Sequence, residues 1–298
     1  MDEIKIIVSA CLLGLRVRYD GKSKPASYVR DVLGSRFRLI GVCPETEAGL
    51  AVPREAMRLE ADRGRILMRG TLSRRDVTGL MHAWLARRLP ELAELEPDGF
   101  LLKSKSPSCG LAPVAVRDAE TPGAGLLAGC VAAGFPELAV ADETIADDPF
   151  LRQRFLDKLL VMHRWRKLLR EHASGEAMLA FHRELRLLVM SHAPGRAGEL
   201  EKLARRGDWG LYERRLAVVL DALPGATKHG NVLRHLRSAL NRALAPADAA
   251  ELDRAVQEME RGRLDRKACL MLFKHHIDRH GPEEYRGQCY WRLLDPIY

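Results

Sequence analysis

Ile4-Lys-Ile-Ile-Val-Ser9-Ala-Cys11, Phe37-Arg-Leu-Ile-Gly-Val42-Cys43 and Gly99-Phe-Leu-Leu-Lys103, the last running on through Ser-Lys-Ser-Pro-Ser to Cys109, are short apolar runs that each deliver a cysteine. Their length and residue types predict β-strands, and open α/β sheets gather the carboxyl ends of parallel strands along one edge. Thiols far apart in the chain are therefore expected at one site. Three thiolates rather than four leave a coordination position open, which suits a metal centre that handles a substrate better than one that staples a fold.

The rest of the first half alternates in the same way. A loop from Cys11 to Lys24 leads to a helical stretch near Tyr28 to Leu33. Arg58 to Arg69 reads as a hairpin turning at Asp62-Arg63-Gly64. Ser73 to Leu95 has helical spacing (Val77, Leu80, Met81, Trp84, Leu85, Leu89), with an interruption expected at Pro90. A short apolar helix at Gly125 to Ala133 and a strand at Glu137 to Ala141 complete the domain. The fold expected for residues 1–146 is α/β, a mostly parallel sheet with flanking helices.

Asp147-Asp148-Pro149 carries acidic caps and a first-turn proline, so a helix is expected to open there and with it a second domain, 147–298. Helical spacing covers Leu151 to Met162, Glu176 to His192, Gly195 to Arg206, Trp209 to Leu223, Asn231 to Leu244, Pro246 to Arg261 and Asp265 to His280. No Val/Ile-rich alternation follows Ala141, which predicts an all-α domain.

The formal net charge is +8, unevenly spread: residues 1–150 hold 20 Lys and Arg against 21 Asp and Glu, and residues 151–298 hold 28 against 19. Nine of the ten histidines are in the second half too. Such a domain attracts polyanions, nucleic acid above all, or carries a merely solubilising arginine-rich surface. The sequence has no run of about 18 uncharged apolar residues and no signal peptide before the first strand, so a cytoplasmic protein without a membrane partner is expected. Six cysteines with no Cys-x-x-Cys pair do not form a secreted disulfide framework, and a reducing compartment leaves them available as ligands.

The loop Lys103-Ser-Lys-Ser-Pro-Ser-Cys109-Gly110 is the densest local signal. Lys103 and Lys105 are expected to lower the Cys109 pKa, the hydroxyls to donate to an anion or a carbonyl-like oxygen, and Gly110 to let the backbone approach a ligand. Cys43-Pro-Glu45 sets a carboxylate two residues from a candidate ligand, where it can move protons or simply face solvent. Cys11-Leu-Leu-Gly14 precedes Arg18-Tyr-Asp20-Gly21, in which Asp20 is catalytic or caps a turn.

These motifs together resemble the thiouracil desulfidase family over about residues 4 to 145: Ser9-Ala-Cys11-Leu-Leu-Gly14 with Arg18-Tyr-Asp-Gly21, Val42-Cys-Pro-Glu45 with Gly49-Leu-Ala-Val-Pro-Arg54, and Leu102-Lys-Ser-Lys-Ser-Pro-Ser-Cys-Gly110. The second half resembles the YbgA-like helical domain, through Phe181 to His192, Lys228 to Leu236 and Glu283 to Pro296. The combination is similar to the tRNA 4-thiouridine desulfidases, whose helical domain is taken to help engage RNA. The resemblance implies a [4Fe-4S] cluster on Cys11, Cys43 and Cys109, with the fourth iron free for the substrate's sulfur. It implies Glu45 as the proton-transfer group, Ser108 as a donor that positions substrate or water, and Lys103 or Lys105 as electrostatic support, with Asp20 and Arg54 as further candidates. The chain departs from the family at Val17, where relatives often carry cysteine, and at Ala48-Gly49-Leu50, which replaces Gly-Gly-Leu.

Other clusters are weighed against plainer roles. Cys130 sits in an apolar helix and reads as a core residue. Cys269, His275, His276, His280 and Cys289 invite a zinc reading, yet no paired-cysteine knuckle is present. His182, His192 and His235 accompany apolar helix faces, as structural histidines do. His163-Arg164-Trp165-Arg166-Lys167 with Arg170 mixes cations with an aromatic and is the candidate RNA contact, although Trp165 equally fits a core. The expected activity is hydrolytic desulfuration of 4-thiouridine in tRNA. Free thiouracil or thionucleosides are the alternative substrates, and an RNA-binding iron–sulfur sensor without turnover is the alternative of another class. No obligate protein partner is evident.

Overall fold

A computed structural model describes residues 3–298; Met1 and Asp2, the start of the expected first domain, lie outside the described residues. The chain divides into two compact units, Met1–Asp148 and Pro149–Tyr298.

The first unit is α/β. Its main sheet has four strands in the order β2-β1-β5-β7, with β1 Lys5–Ser9, β2 Arg38–Val42, β5 Gly99–Leu102 and β7 Ala139–Asp142. Every pairing is parallel: Val8 lies opposite Gly41 and Leu101, and Leu101 opposite Ala141. Ile6, Ile7, Val8, Phe100, Leu101 and Leu102 have no exposed surface, the signature of strands covered on both faces. From β1 the chain passes to β2 on one side and later to β5 on the other, so the strand order reverses between β1 and β5. Open sheets hold ligands at such a reversal, beyond the strand carboxyl ends.

A second sheet, order β4-β3-β6, joins the expected hairpin of β3 Met57–Asp62 and β4 Arg65–Gly70 to β6 Val116–Arg117. The hairpin turns on Arg63 and Gly64, both at positive φ (48° and 76°), the conformation a tight two-residue turn requires. β6 is too short to be seen as a pattern. Its helices are α1 Pro44–Glu47, α2 Thr78–Glu94 and α3 Leu126–Gly134. Two expectations for α2 are corrected. The helix begins at Thr78, because Glu55 accepts from the N–H groups of Leu72 and Ser73 and from the Ser73 hydroxyl, holding that segment as a loop. It also continues through Pro90 rather than breaking there. Its buried face, Met81, Trp84, Leu85 and Leu92, packs on the sheets on both sides of the proline. The Tyr28 to Leu33 stretch forms a π-helical turn.

The second unit is helical: α4 Pro149–Arg170, α5 Gly175–Glu184, α6 Arg186–His192, α7 Ala197–Arg206, α8 Trp209–Asp221, α9 Ala226–Ala239, α10 Pro246–Glu260, α11 Arg266–His280 and α12 Glu283–Arg286. The single helix expected over Glu176 to His192 divides at Leu185, a fully buried residue that joins α5 to α6. Among the described residues no strand follows Asp142, and no helix is long and apolar enough to cross a membrane.

α4 carries a buried polar row that apolar periodicity alone does not announce: Gln153, Asp157 and Lys158. Asp157 accepts from the Tyr298 hydroxyl at 2.8 Å and pairs with His192 Nε2 at 2.9 Å, while Lys158 reaches Asp221 at 2.7 Å. Gln153 Oε1 lies 3.0 Å from His229 Nε2 and accepts from Arg266 at 2.6 Å, and His229 Nδ1 meets the Tyr290 hydroxyl at 2.8 Å. His182 and His235 likewise meet Tyr212 and Tyr285. Burial, with Arg266 beside it, holds His229 well below the ordinary imidazole value, and burial lowers His182 and His235 too. The unfolded chain takes up protons near pH ~6.5 that these folded sites refuse. Stability is therefore present above that pH and lost as the pH falls through it. The urea midpoint followed by tryptophan fluorescence is expected to drop between pH ~7.5 and ~5.5, and His229→Gln to narrow the drop; a midpoint that holds or rises on acidification would contradict this.

α3 begins against the cysteine loop. A Cβ on Gly125 would lie 2.7 Å from Gly110 N and Ser106 O and 2.9 Å from Cys109 N, and one on Gly110 would lie 2.8 Å from Ser106 N and O. Gly110 therefore serves close approach of the protein to itself, not the expected approach to a ligand. Gly125→Ala is expected to cost about 1–3 kcal/mol, as overpacking does, and to displace the loop; an unchanged urea denaturation curve would show that the contact is slack.

Candidate active site

The carboxyl edge of the main sheet brings the sequence candidates together. Cys11 lies in the 3-10 turn Ala10–Leu13 directly after β1, closed by Gly14 at φ 98°. Cys43 precedes α1 after β2 and so puts Glu45 in that helix's first turn. Cys109 ends the loop after β5, where Ser106 Oγ accepts from the N–H groups of Ser108 (3.3 Å) and Cys109 (3.2 Å). Ser108 C=O accepts from Leu127 N at 2.8 Å, which ties the loop to α3.

All three cysteines line one cavity of about 320 Å³, together with Arg18, Tyr19, Lys24, Glu45, Arg54, Lys103 and Lys105. No other cysteine lines it, and all six cysteines are free thiols. Burial and the neighbouring Cys43 push the Cys11 thiol up to about 11, against the lowering influence of Lys103 and Arg18. Burial also pushes Cys109 well above its ordinary value, joined by Cys43 and Cys11 and opposed by a hydrogen bond with Ser9. The expectation that the lysine-rich loop lowers the Cys109 pKa is therefore corrected: burial raises it. Such thiols stay protonated until a metal displaces the proton.

Glu45 is the one carboxylate among the described residues that line the cavity. Arg54 Nε donates to its Oε2 at 2.7 Å, a second guanidinium nitrogen donates to the same oxygen, and the Ser108 hydroxyl donates to Oε1. Arg54 and Glu45 side chains are 7% and 13% exposed, so removing either strands a buried charge, at a cost of about 3–5 kcal/mol. Arg54 also donates to Val17 O (3.1 Å) and Ala51 O (3.1 Å), and its N–H to Tyr19 O (2.8 Å). The departure at Val17 thus leaves its main chain in use: its carbonyl serves Arg54 and lies 3.9 Å from Cys43 Sγ.

Other candidates are placed differently. Lys103 Nζ is bound to Glu143 at 2.5 Å, a residue that sequence reasoning missed because nothing near it in the chain marks a site. Lys105 lines the cavity, is exposed and sits at φ 58°. Asp20 does not line the cavity; it caps its own turn, accepting from Lys22 N at 3.1 Å and pairing with Arg18 at 3.3 Å.

In the second unit Trp165 is fully buried against Phe181, Trp209 and Tyr212, so it is core and not a stacking platform. Arg164 is held by Glu184 at 2.8 Å, Lys167 lies 3.6 Å from Glu171, and Arg166 and Arg170 also have partners. The run offers no row of uncommitted cations. Cys269 and Cys289 are buried, and Cys289 accepts from Arg164 at 3.0 Å. Among the described residues no three His, Cys, Asp or Glu side chains gather tightly enough to hold a single metal ion, in that region or elsewhere.

Comparison with known proteins matches the two units separately. The family model described as 2-thiouracil desulfurase covers residues 6–143, and one described as a protein of unknown function, DUF1722, covers residues 186–294. The Bacillus subtilis protein described as uncharacterized protein YbbK is 32% identical over 110 residues, 35% of this chain and 72% of that protein. A solved structure described as the [4Fe-4S]-dependent thiouracil desulfidase TudS is 31% identical, covering 49% of this chain and 95% of that chain with a TM-score of 0.40. On the family match and the identity shared with the Bacillus protein, the chain belongs to the 2-thiouracil desulfurase family, carrying a DUF1722 region as its second unit.

Proposed function

We propose that this protein is a [4Fe-4S]-dependent desulfidase that converts 4-thiouridine in tRNA to uridine with release of hydrosulfide. The observation that carries the reading is the meeting, in one cavity, of three thiols from three strand ends with a carboxylate held by Arg54 and Ser108. The donor set suits the cluster. Three soft sulfur ligands from three strand ends line one cavity, and thiolates of this kind hold iron–sulfur clusters. When bound on Cys11, Cys43 and Cys109 the cluster would supply a thiophilic iron not ligated by the protein, able to take a thiocarbonyl sulfur.

The chain's own residues account for the proton chemistry. Replacing C=S by C=O breaks one carbon–sulfur bond, forms one carbon–oxygen bond and consumes a water, with no electron transferred. The water must lose a proton as it adds, and Glu45 is the carboxylate within the cavity to receive it. Arg54 fixes the carboxylate from one side, and Ser108 orients its other oxygen and can pass a hydrogen bond to water or substrate. A cluster that only sensed oxygen or iron would have no use for this pairing, which favours turnover over the sensor reading.

The choice of RNA over a free base rests on charge. Arg18, Lys24, Arg54, Lys103 and Lys105 line the cavity against one carboxylate, in a half-chain whose acids outnumber its bases, and the second half carries the positive excess. Arg18, Arg54 and Lys103 have acidic partners; Lys24 and Lys105 have no ion pair among the described residues. A neutral thiobase gives them nothing to hold, whereas a nucleotide chain brings phosphates. Free thiopyrimidines are the second reading, favoured by the family's own description. A cytoplasmic address fits a tRNA substrate.

The test is turnover of 4-thiouridine-containing tRNA by the anaerobically reconstituted full chain, read as loss of thiocarbonyl absorbance with release of sulfide. Glu45→Gln is expected to lose about 10²–10⁴-fold in kcat with iron content unchanged, and Cys109→Ala to lose both iron and activity. Full activity on free thiouracil with none on tRNA would replace the leading reading by the second; an intact cluster with no turnover on either would favour the sensor.

A further inference from the structure

Four parallel strands end side by side along the edge that bears the site, in the order β2-β1-β5-β7. The first three deliver Cys43 with Glu45, Cys11, and the Lys103–Cys109 loop. β7 delivers Glu143, which begins the 3-10 turn Glu143–Ala146 and is aimed by the Asp142 cap, whose carboxylate accepts from Thr144 N at 3.0 Å. Glu143 contributes no ligand and does not line the cavity. Its carboxylate is nevertheless committed to the cysteine loop: Oε1 accepts from Lys103 Nζ (2.5 Å) and Ser104 Oγ (2.8 Å), and Oε2 from Ser104 N (2.8 Å).

Those contacts fall where the loop leaves β5. Lys103 N donates to Ser9 Oγ at 2.9 Å, and Ser9, 3% exposed, lies close enough to the Cys109 thiol to lower its pKa against burial. Lys103 Nζ turns back onto Ser104 O (2.8 Å), so its charge is spent within the loop. The chain of contacts thus runs from β7 through the first two loop residues to Ser9 and Cys109. The loop's far end is held independently by α3 through Leu126 and Leu127. The hydrogen bonds from Lys103 and Ser104 hold the Glu143 carboxyl below its usual range against burial, and a low carboxyl pKa is what an acceptor of three such donors acquires.

We infer that Glu143 is a positioning residue for the thiol centre: by fixing Lys103 and Ser104 it sets the direction in which the loop presents Ser108 to Glu45 and Cys109 to Cys11 and Cys43. Lys103 is its counter-charge and not a contact to substrate. The inference rests on the proposed cluster only for its consequence in catalysis; the positioning of Cys109 is a property of the chain itself.

Two measurements separate those parts. In the metal-free full-length chain, the rate at which iodoacetamide alkylates each cysteine is followed by mass spectrometry, with Cys130 of α3 as the internal control in the same unit. Glu143→Ala is expected to speed alkylation of Cys109 roughly fivefold or more relative to Cys130, as easier local opening does. Glu143→Gln keeps one acceptor, for Ser104 N, and its amide nitrogen can donate to Ser104 Oγ, so it is expected to stay near the parent. Lys103→Met, which leaves the Ser104 bonds in place, gives a smaller acceleration and serves if Glu143→Ala does not fold. In the reconstituted protein, Glu143→Ala is expected to shift the visible and electron paramagnetic resonance spectra and lower kcat with KM little changed. Unaltered Cys109 reactivity, or equal acceleration of Cys109 and Cys130, would overturn the inference whatever happens to the melting temperature. A parent chain that binds no iron would sink the cluster reading and leave the alkylation result standing.

Discussion

Parallel pairing of β2, β1, β5 and β7 is the constraint on which the rest depends. Parallel strands must all finish on the same edge, and each finish is the start of a connection whose backbone is no longer committed to the sheet. The connections that leave these four finishes carry three cysteines and a glutamate, so residues 11, 43, 109 and 143 come to one edge of the sheet without contact in sequence. The apolar centres of β1 and β5 are wholly buried, which fixes their register and through it the relative heights of the loops that follow.

Around that edge, charge is handled in two ways. Inside, each functional carboxylate has a dedicated cation: Glu45 with Arg54, Glu143 with Lys103. Their burial makes the pairs costly to break and hence effective at holding loops in one geometry. At the cavity mouth Lys24 and Lys105 are exposed and outside any such pair, available to a negative substrate. The Cys11 and Cys109 thiols are desolvated, which disfavours their bare thiolates and leaves metal binding as the event that deprotonates them. The second unit buries polar pairs for architecture: Asp157 pairs with His192, and His229 is bonded to Gln153 and Tyr290 in its interior.

Much of the fold was legible because its signals are local. Strands, hairpin turn and most helices follow from apolar periodicity and from turn residues such as Arg63-Gly64. Helix starts and breaks were misread where a distant group decides them: Glu55 unwinds the segment before Thr78, and packing on both sides carries α2 through Pro90. At the site Cys11 and Cys43 stood out because they follow their strands closely, Glu45 because it comes two residues after Cys43, and Cys109 because it ends the polar loop that leaves β5. Glu143 did not, because a glutamate after a strand is an ordinary cap and its partner is 40 residues away. The Cys109 pKa was read from the lysines beside it in the chain, whereas burial decides it. In the cationic run of α4, helical spacing likewise does not reveal that Arg164 reaches Glu184 or that Trp165 faces the core.

The account's central claim is that three thiols hold a cluster with one iron left for the substrate. Mössbauer spectra of the full chain reconstituted anaerobically with ⁵⁷Fe, recorded with and without a thiopyrimidine, test it most directly. The account predicts a four-iron cluster in which one iron alone changes its parameters when the thiocarbonyl is added. A cluster whose irons all stay unchanged, or iron bound singly, would contradict it.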